Sequence, residues 1–123
     1  METLSELVGT VAQFEGNLPG PEVSSHADRR RVEHLDRLLR RAEADGTLTT
    51  MFTPGYPPVR VQVAAGDAAA VVVVDDTDAE VRLGEGGAVA VHTHGLTREV
   101  SLPFEPTSLD QRTVAGRTVA TLD

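Results

Sequence analysis

At 123 residues the chain has room for one modest core, and its formal charge of −8 disfavours general affinity for nucleic acid or anionic membrane. The absence of Cys excludes disulfides, thiolate metal sites and cysteine nucleophiles, and aromatics at 3 % leave Val, Leu and Ala to build the core. No apolar run approaches the roughly 18 residues of a membrane span, and Met1–Gly20 lacks the basic start and apolar stretch of a signal peptide, so a cytoplasmic location is expected.

The first element is a helix over about 3–15. Thr3 and Glu6 form a T-x-x-E capping box, and Leu4, Leu7, Val8 and Val11 follow at i, i+3, i+4, i+7 as one apolar stripe. Gly16 and the stretch Asn17-Leu18-Pro19-Gly20-Pro21 end it. So short a helix is marginal alone and needs something to cover its stripe. A second helix, over about 25–45, is capped by Ser24 or Ser25 and stopped by Gly46, with Val32, Leu35, Leu38, Leu39 and Ala42 as its stripe. Glu33–Arg37 and Asp36–Arg40 stand at i,i+4 as ion pairs. The Arg-rich run Arg29–Arg41 tempts a DNA-binding reading, but Asp28, Glu33, Asp36, Glu43 and Asp45 lie among or beside it, and a solvated, salt-bridged face is the plainer reading.

Residues 47–58 read as a connector rich in Thr and Pro, with Met51, Phe52 and Tyr56 packing as a lid or, alternatively, forming an exposed contact patch. Beyond it lie short Val-rich segments with period-two alternation, cut by Gly, Asp and Pro. Val59, Val61 and Val63 share one strand face, opposite Arg60 and Gln62, and Gly66-Asp67 turns the chain. Val71–Val74 is a continuous apolar run, as in a strand covered on both faces, and Asp75-Asp76-Thr77-Asp78 ends it. Ala79–Leu83 alternates with Val81 and Leu83 inward; Gly84-Glu85-Gly86-Gly87 joins it to Ala88–His94 as a hairpin. Thr97–Leu102 and two short strands near Thr113–Ala115 and Arg117–Leu122 complete the pattern. The organisation expected is mainly β: a helical N-terminal arm over 1–46, the connector, and a seven-stranded antiparallel β-sandwich over 59–123.

This half resembles the α-crystallin domain of small heat-shock proteins and the related CS-type co-chaperone sandwich. The carrying residues are Val71-Val72-Val73-Val74 with its acidic turn, the hairpin Glu80-Val81-Arg82-Leu83 / Ala88-Val89-Ala90-Val91, and Arg98-Glu99-Val100-Ser101-Leu102-Pro103 with its Leu-Pro ending. Last comes Gln111-Arg112-Thr113-Val114-Ala115-Gly116-Arg117-Thr118, which sits where the family has Ala-x-x-x-Asn-Gly-Val-Leu and keeps only the Gly. The resemblance covers about 65 residues. Only Gly95-Leu96 separates the His94 and Arg98 strands, so the long loop carrying the family's swapped strand is lacking, as is an Ile-x-Ile tail.

The resemblance implies an ATP-independent chaperone or co-chaperone of stress response that binds unfolding clients. Its groove would run between the Ala79–Leu83 and Thr113–Ala115 strands, with Val81, Leu83 and Val114 as walls, and its arm would offer Leu4, Leu7, Val8 and Val11. Self-association as a homodimer or small oligomer would use the helices. The alternatives are a dedicated adaptor or assembly factor on the same sandwich, and a DNA-binding regulator using Arg29–Arg41. Enzymatic chemistry is not expected, nor a cofactor. Ser24, Ser25, Ser101 and Ser108 lack a nucleophile-elbow context, and Gly84–Gly87 joins strands instead of opening a helix. His92 and His94 are weak metal candidates, on one strand face about 7 Å apart, with His26, His34 or a carboxylate to complete a site. Asp75, Asp76 and Asp78 do not match a calcium loop.

Overall fold

The computed structural model describes residues 2–14 and 26–123. Both stripes become helices: α1 spans Glu2–Ala12 and α2 spans His26–Ala44. Leu4, Leu7 and Val11 of α1 and Leu35, Leu38, Leu39 and Ala42 of α2 are buried, as 3.6-residue periodicity requires of a face laid on a core. Gly46, with φ of 82°, ends α2 in the left-handed conformation that suits Gly after a helix. The expected Ser24 or Ser25 cap and the Gly16–Pro21 breaker lie outside the described residues. The capping box does not form as expected. Thr3 lies inside the first turn of α1, and its hydroxyl donates to Asp45 Oδ2 (3.0 Å). Asp45 also accepts from the Thr47 backbone N–H (3.0 Å) and hydroxyl, so one carboxylate ties the start of α1 to the exit from α2.

Eight strands follow, one more than expected: β1 Leu48–Phe52, β2 Arg60–Ala65, β3 Ala70–Val74, β4 Glu80–Leu83, β5 Ala88–Thr93, β6 Leu96–Ser101, β7 Leu109–Val114 and β8 Arg117–Leu122. All pair antiparallel. One sheet has the order β1-β2-β3-β8-β7 and the other β4-β5-β6. The additional strand, β1, arises within the expected connector. Its register sets Leu48 against Ala64 and Met51 against Val61.

The helices cover the outer face of the five-stranded sheet, and the three-stranded sheet covers its inner face. Alternation sorts side chains between the two interfaces. Val71 and Val73 of β3 join the helices' core with Leu48, Ala64, Val114 and Val119. Ala70, Val72 and Val74 face the other way, packing with Val59, Val61, Val63, Val81, Val89, Val91 and Val100. The unbroken Val run is thus a central strand buried on both sides, each Val contributing about 1.5–3 kcal/mol on full burial. The same layering buries Gln62, which stands on the helix side of β2.

Two hairpins close through two-residue turns with positive φ at both positions, His94-Gly95 (51° and 74°) and Ala115-Gly116 (49° and 81°), matching the right-handed twist of the flanking strands. At Gly87, with φ of 84°, a Cβ would lie 2.7 Å from the Phe104 carbonyl oxygen and 2.9 Å from that of Leu102, so only Gly fits the entry to β5.

Candidate functional site

The residues offered as a client-binding arm are part of the core. Leu4, Leu7 and Val11 are buried against β3 and α2, and Val8 is half-buried beside them. Arg112 on β7 holds the far end of α1, its Nη1 donating to the carbonyls of Val11 (3.0 Å) and Phe14. The helix stripes offered for self-association therefore face the sheet.

The expected groove also changes. Val81 is buried between the sheets, whereas Val114 lies on the opposite face of β7, in the helices' core. Leu83, expected inward, is 40 % exposed. The seam between edge strands β4 and β7 is instead closed by a polar side chain. Gln111 Oε1 accepts from the Val81 N–H (2.9 Å), and its Nε2 donates to the Ala79 carbonyl (3.1 Å). One amide side chain thus replaces a backbone rung and joins the two sheets. Beside it, Arg82 donates to Glu80 from Nε (2.7 Å) and Nη2 (3.1 Å), and this hydrogen bond holds the Glu80 carboxyl below its ordinary pKa.

The two most exposed large apolar side chains among the described residues stand at one end of the sandwich, Phe52 at the end of β1 and Tyr56 on the 53–59 loop. Tyr56 is 98 % exposed and Phe52 53 %. Neither packs as a lid; Met51 alone of the three turns partly inward. Phe52, Pro57 and Pro58 line an open concavity of about 580 Å³ with Val59, Arg60, Asp75 and His94. Leu96 stands beside Gly55, where an added Cβ would meet its Cδ1 at 2.9 Å, and is itself exposed. The loop is anchored by Thr53, whose buried hydroxyl accepts from the Val59 N–H (3.0 Å) and whose own N–H donates to the Val59 carbonyl (2.9 Å).

His92 and His94 do not share a strand face. β5 ends at Thr93 and His94 enters the left-handed turn. His92 Nδ1 lies 2.8 Å from the Thr97 hydroxyl, and His94 Nε2 lies 3.6 Å from Asp76. Among the described residues no group of three or more His, Cys, Asp or Glu is placed to hold a metal. The acidic turn satisfies itself. Asp75 pairs with Arg60 (2.9 Å), while Asp76 accepts from the Asp78 N–H (3.1 Å) and from the Thr93 hydroxyl.

On α2, the i,i+4 pairing differs from expectation. Asp36 takes Arg117 from β8 (2.7 Å) and Arg37 lies against His34 (3.4 Å). Arg31 pairs with Asp28 (3.1 Å) and Arg41 with Glu6. Among the described residues no helix is long and apolar enough to cross a membrane.

Comparison with family models, with curated proteins and with solved structures returned no match.

Proposed function

We propose that this chain is a protein-binding module of the small heat-shock kind, without enzymatic activity, acting as a dedicated adaptor that grips its partner through the Phe52–Leu96 end of the sandwich. The observation that carries this reading is the placement of aromatic side chains. The chain has only three Phe and one Tyr, and two of these four sit in solvent at one end of the sandwich, Phe52 at the end of β1 and Tyr56 on the loop after it, framed by Pro57 and Pro58. Exposed aromatics clustered on one surface are common anchors of a protein interface. The resemblance to the α-crystallin domain gains support from Ala115-Gly116. The family's Asn-Gly stands at this point, and both positions have the positive φ that Asn-Gly adopts readily.

A general holdase is the second reading, favoured by the β4/β7 seam, which the single Gln111 amide closes and which a client segment would enter by displacing that side chain. The packed state of α1 weighs against its arm-based form. The nucleic-acid reading loses ground with the net charge of −8 and with Arg31 and Arg41 already paired to acids.

The deciding experiment places a photo-crosslinking residue at position 56 in cells of the source organism. An adaptor yields one discrete adduct, abolished by Phe52→Ala; a holdase yields a ladder that grows on heating. No adduct at position 56, together with suppression of aggregation of a heat-denatured test protein near equimolar subunits, would overturn the adaptor reading in favour of the holdase.

A further inference from the structure

The two sheets differ in width, and the mismatch leaves a vacancy opposite β1. Five strands face three, so a strand on the β6 side of the smaller sheet is missing from above the inner face of β1. The space is a cleft of about 380 Å³, floored by Thr49 and Met51 of β1 and by Val63 and Ala65 of β2, and walled by Arg98, Glu99, Val100 and Ser101 of β6; Arg98 and Val100 face inward, and Glu99 alternates with them on the outer face, where it is exposed. β6 is the last strand of its sheet, so its outer backbone groups have no strand partner among the described residues.

Arg98 stands in phase with buried Val100 and thus on the inward face of β6. Its Nε is the one buried side-chain nitrogen or oxygen among the described residues that lacks a hydrogen-bond partner. Arg98 as a whole is half-buried, but a donor nitrogen of a cation left buried without an acceptor carries a desolvation cost. A carboxylate is the group whose geometry and charge match a guanidinium edge.

We propose that the β1/β6 cleft receives an extended peptide segment that adds to the free edge of β6 and presents one carboxylate to Arg98. The backbone of such a segment supplies the missing rungs, and its alternate side chains fall on Met51 and Val63, which asks for apolar residues flanking the acid. The chain's charge of −8 disfavours a strongly acidic partner, so the segment carries its carboxylate in an otherwise uncharged run. This site lies at the edge opposite the β4/β7 seam and does not depend on the adaptor reading. The competing view is that Arg98 merely guards an edge strand against pairing, as inward charges do.

Two capped hexapeptides of alternating Val and Thr, one with a central Glu and one with Gln in its place, are titrated into the ¹⁵N-labelled protein and followed by amide NMR. The expected result is shifts confined to β6 and β1, with the Glu peptide binding about tenfold or more tightly than the Gln peptide, as for a charge-assisted contact. Arg98→Gln removes that preference. Thr49→Glu, which adds to Glu99 a second carboxylate, on the floor of the cleft, abolishes binding with Arg98 intact and keeps the test open if Arg98→Gln fails to fold. Equal affinity for the two peptides, no binding up to millimolar concentration, or shifts centred on β4 and β7 each overturn the proposal. So does an Arg98→Gln protein that self-associates while its peptide preference is unchanged, the outcome expected of an edge guard.

Discussion

Replacing Gln111 by Ala removes both bonds across the β4/β7 seam and nothing of the apolar core, since the residue is exposed. The two losses are unequal. The Ala79 carbonyl keeps a long contact from the Thr118 hydroxyl (3.5 Å), whereas the Val81 N–H loses its partner. At about 1 kcal/mol net per bond, the cost is about 1–2 kcal/mol. With unfolding entropy near 2.1 cal/mol/K per residue, 123 residues give about 260 cal/mol/K, and the melting temperature falls by about 4–8 °C. Thermal unfolding by circular dichroism reads the global effect, and hydrogen exchange at Val81 reads the local one, where protection should drop about tenfold. Gln111→Glu refines the test. At neutral pH it keeps an acceptor for Val81 but sets a second oxygen against the Ala79 carbonyl, so it should be destabilising; below its pKa the protonated carboxyl donates again and part of the stability returns. If Gln111→Ala leaves both the Val81 exchange rate and the melting temperature unchanged, the seam is held by packing alone and the reasoning is refuted.

Leu7→Ala should cost about 2–5 kcal/mol in urea denaturation, because Leu7 is fully buried between α1 and β3; a cost under 1 kcal/mol would return α1 to the status of a detachable arm. Gly87→Ala should destabilise by about 2 kcal/mol or more through its clash with two carbonyl oxygens, while Gly86→Ala, with φ of 61° and open space around it, should lose only about 1 kcal/mol. The two melting curves compared side by side check that distinction. The hydrogen bonds from Thr47 hold the Asp45 carboxyl below its ordinary pKa. Its stabilising contribution is therefore complete above the unfolded-state value near 4 and is lost as pH falls through the folded value. Asp45→Asn should flatten the acid limb of the stability–pH profile and leave its alkaline limb unchanged.

The helical stripes and the Val71–Val74 strand were legible because burial follows directly from spacing or from an unbroken apolar run. β1 was not. Leu48-Thr49-Thr50-Met51-Phe52 alternates only weakly, because it is an edge strand whose inner face lacks a strand above it, and the Pro-rich loop beyond it masks its end. The polar first half of β7 is hidden for a related reason: Gln111 acts through hydrogen bonds across the seam, Arg112 through bonds to α1 and to Asp110 of its own strand, and none of them leaves a hydrophobic periodicity. The resemblance implies Val114 as a groove wall, but the phase of β7 turns it into the helices' core. Leu83 alternates with Val81 as an inward residue should, yet is exposed at the last position of β4. His94 read as the end of a strand, and only the register Thr93↔Leu96 reveals the turn that carries it away from His92. Each miss concerns a margin of the sandwich, where the partner across the gap decides a residue's environment.

The solitary Tyr56, in a chain without Trp, has a practical corollary. The phenol stands in water in the native state, much as it would in an unfolded chain, so tyrosine emission should change little when the core melts. A ligand covering the 53–59 loop would alter its surroundings directly. The molecule thus carries an optical probe that is nearly blind to folding and sensitive to occupancy of one end of the sandwich.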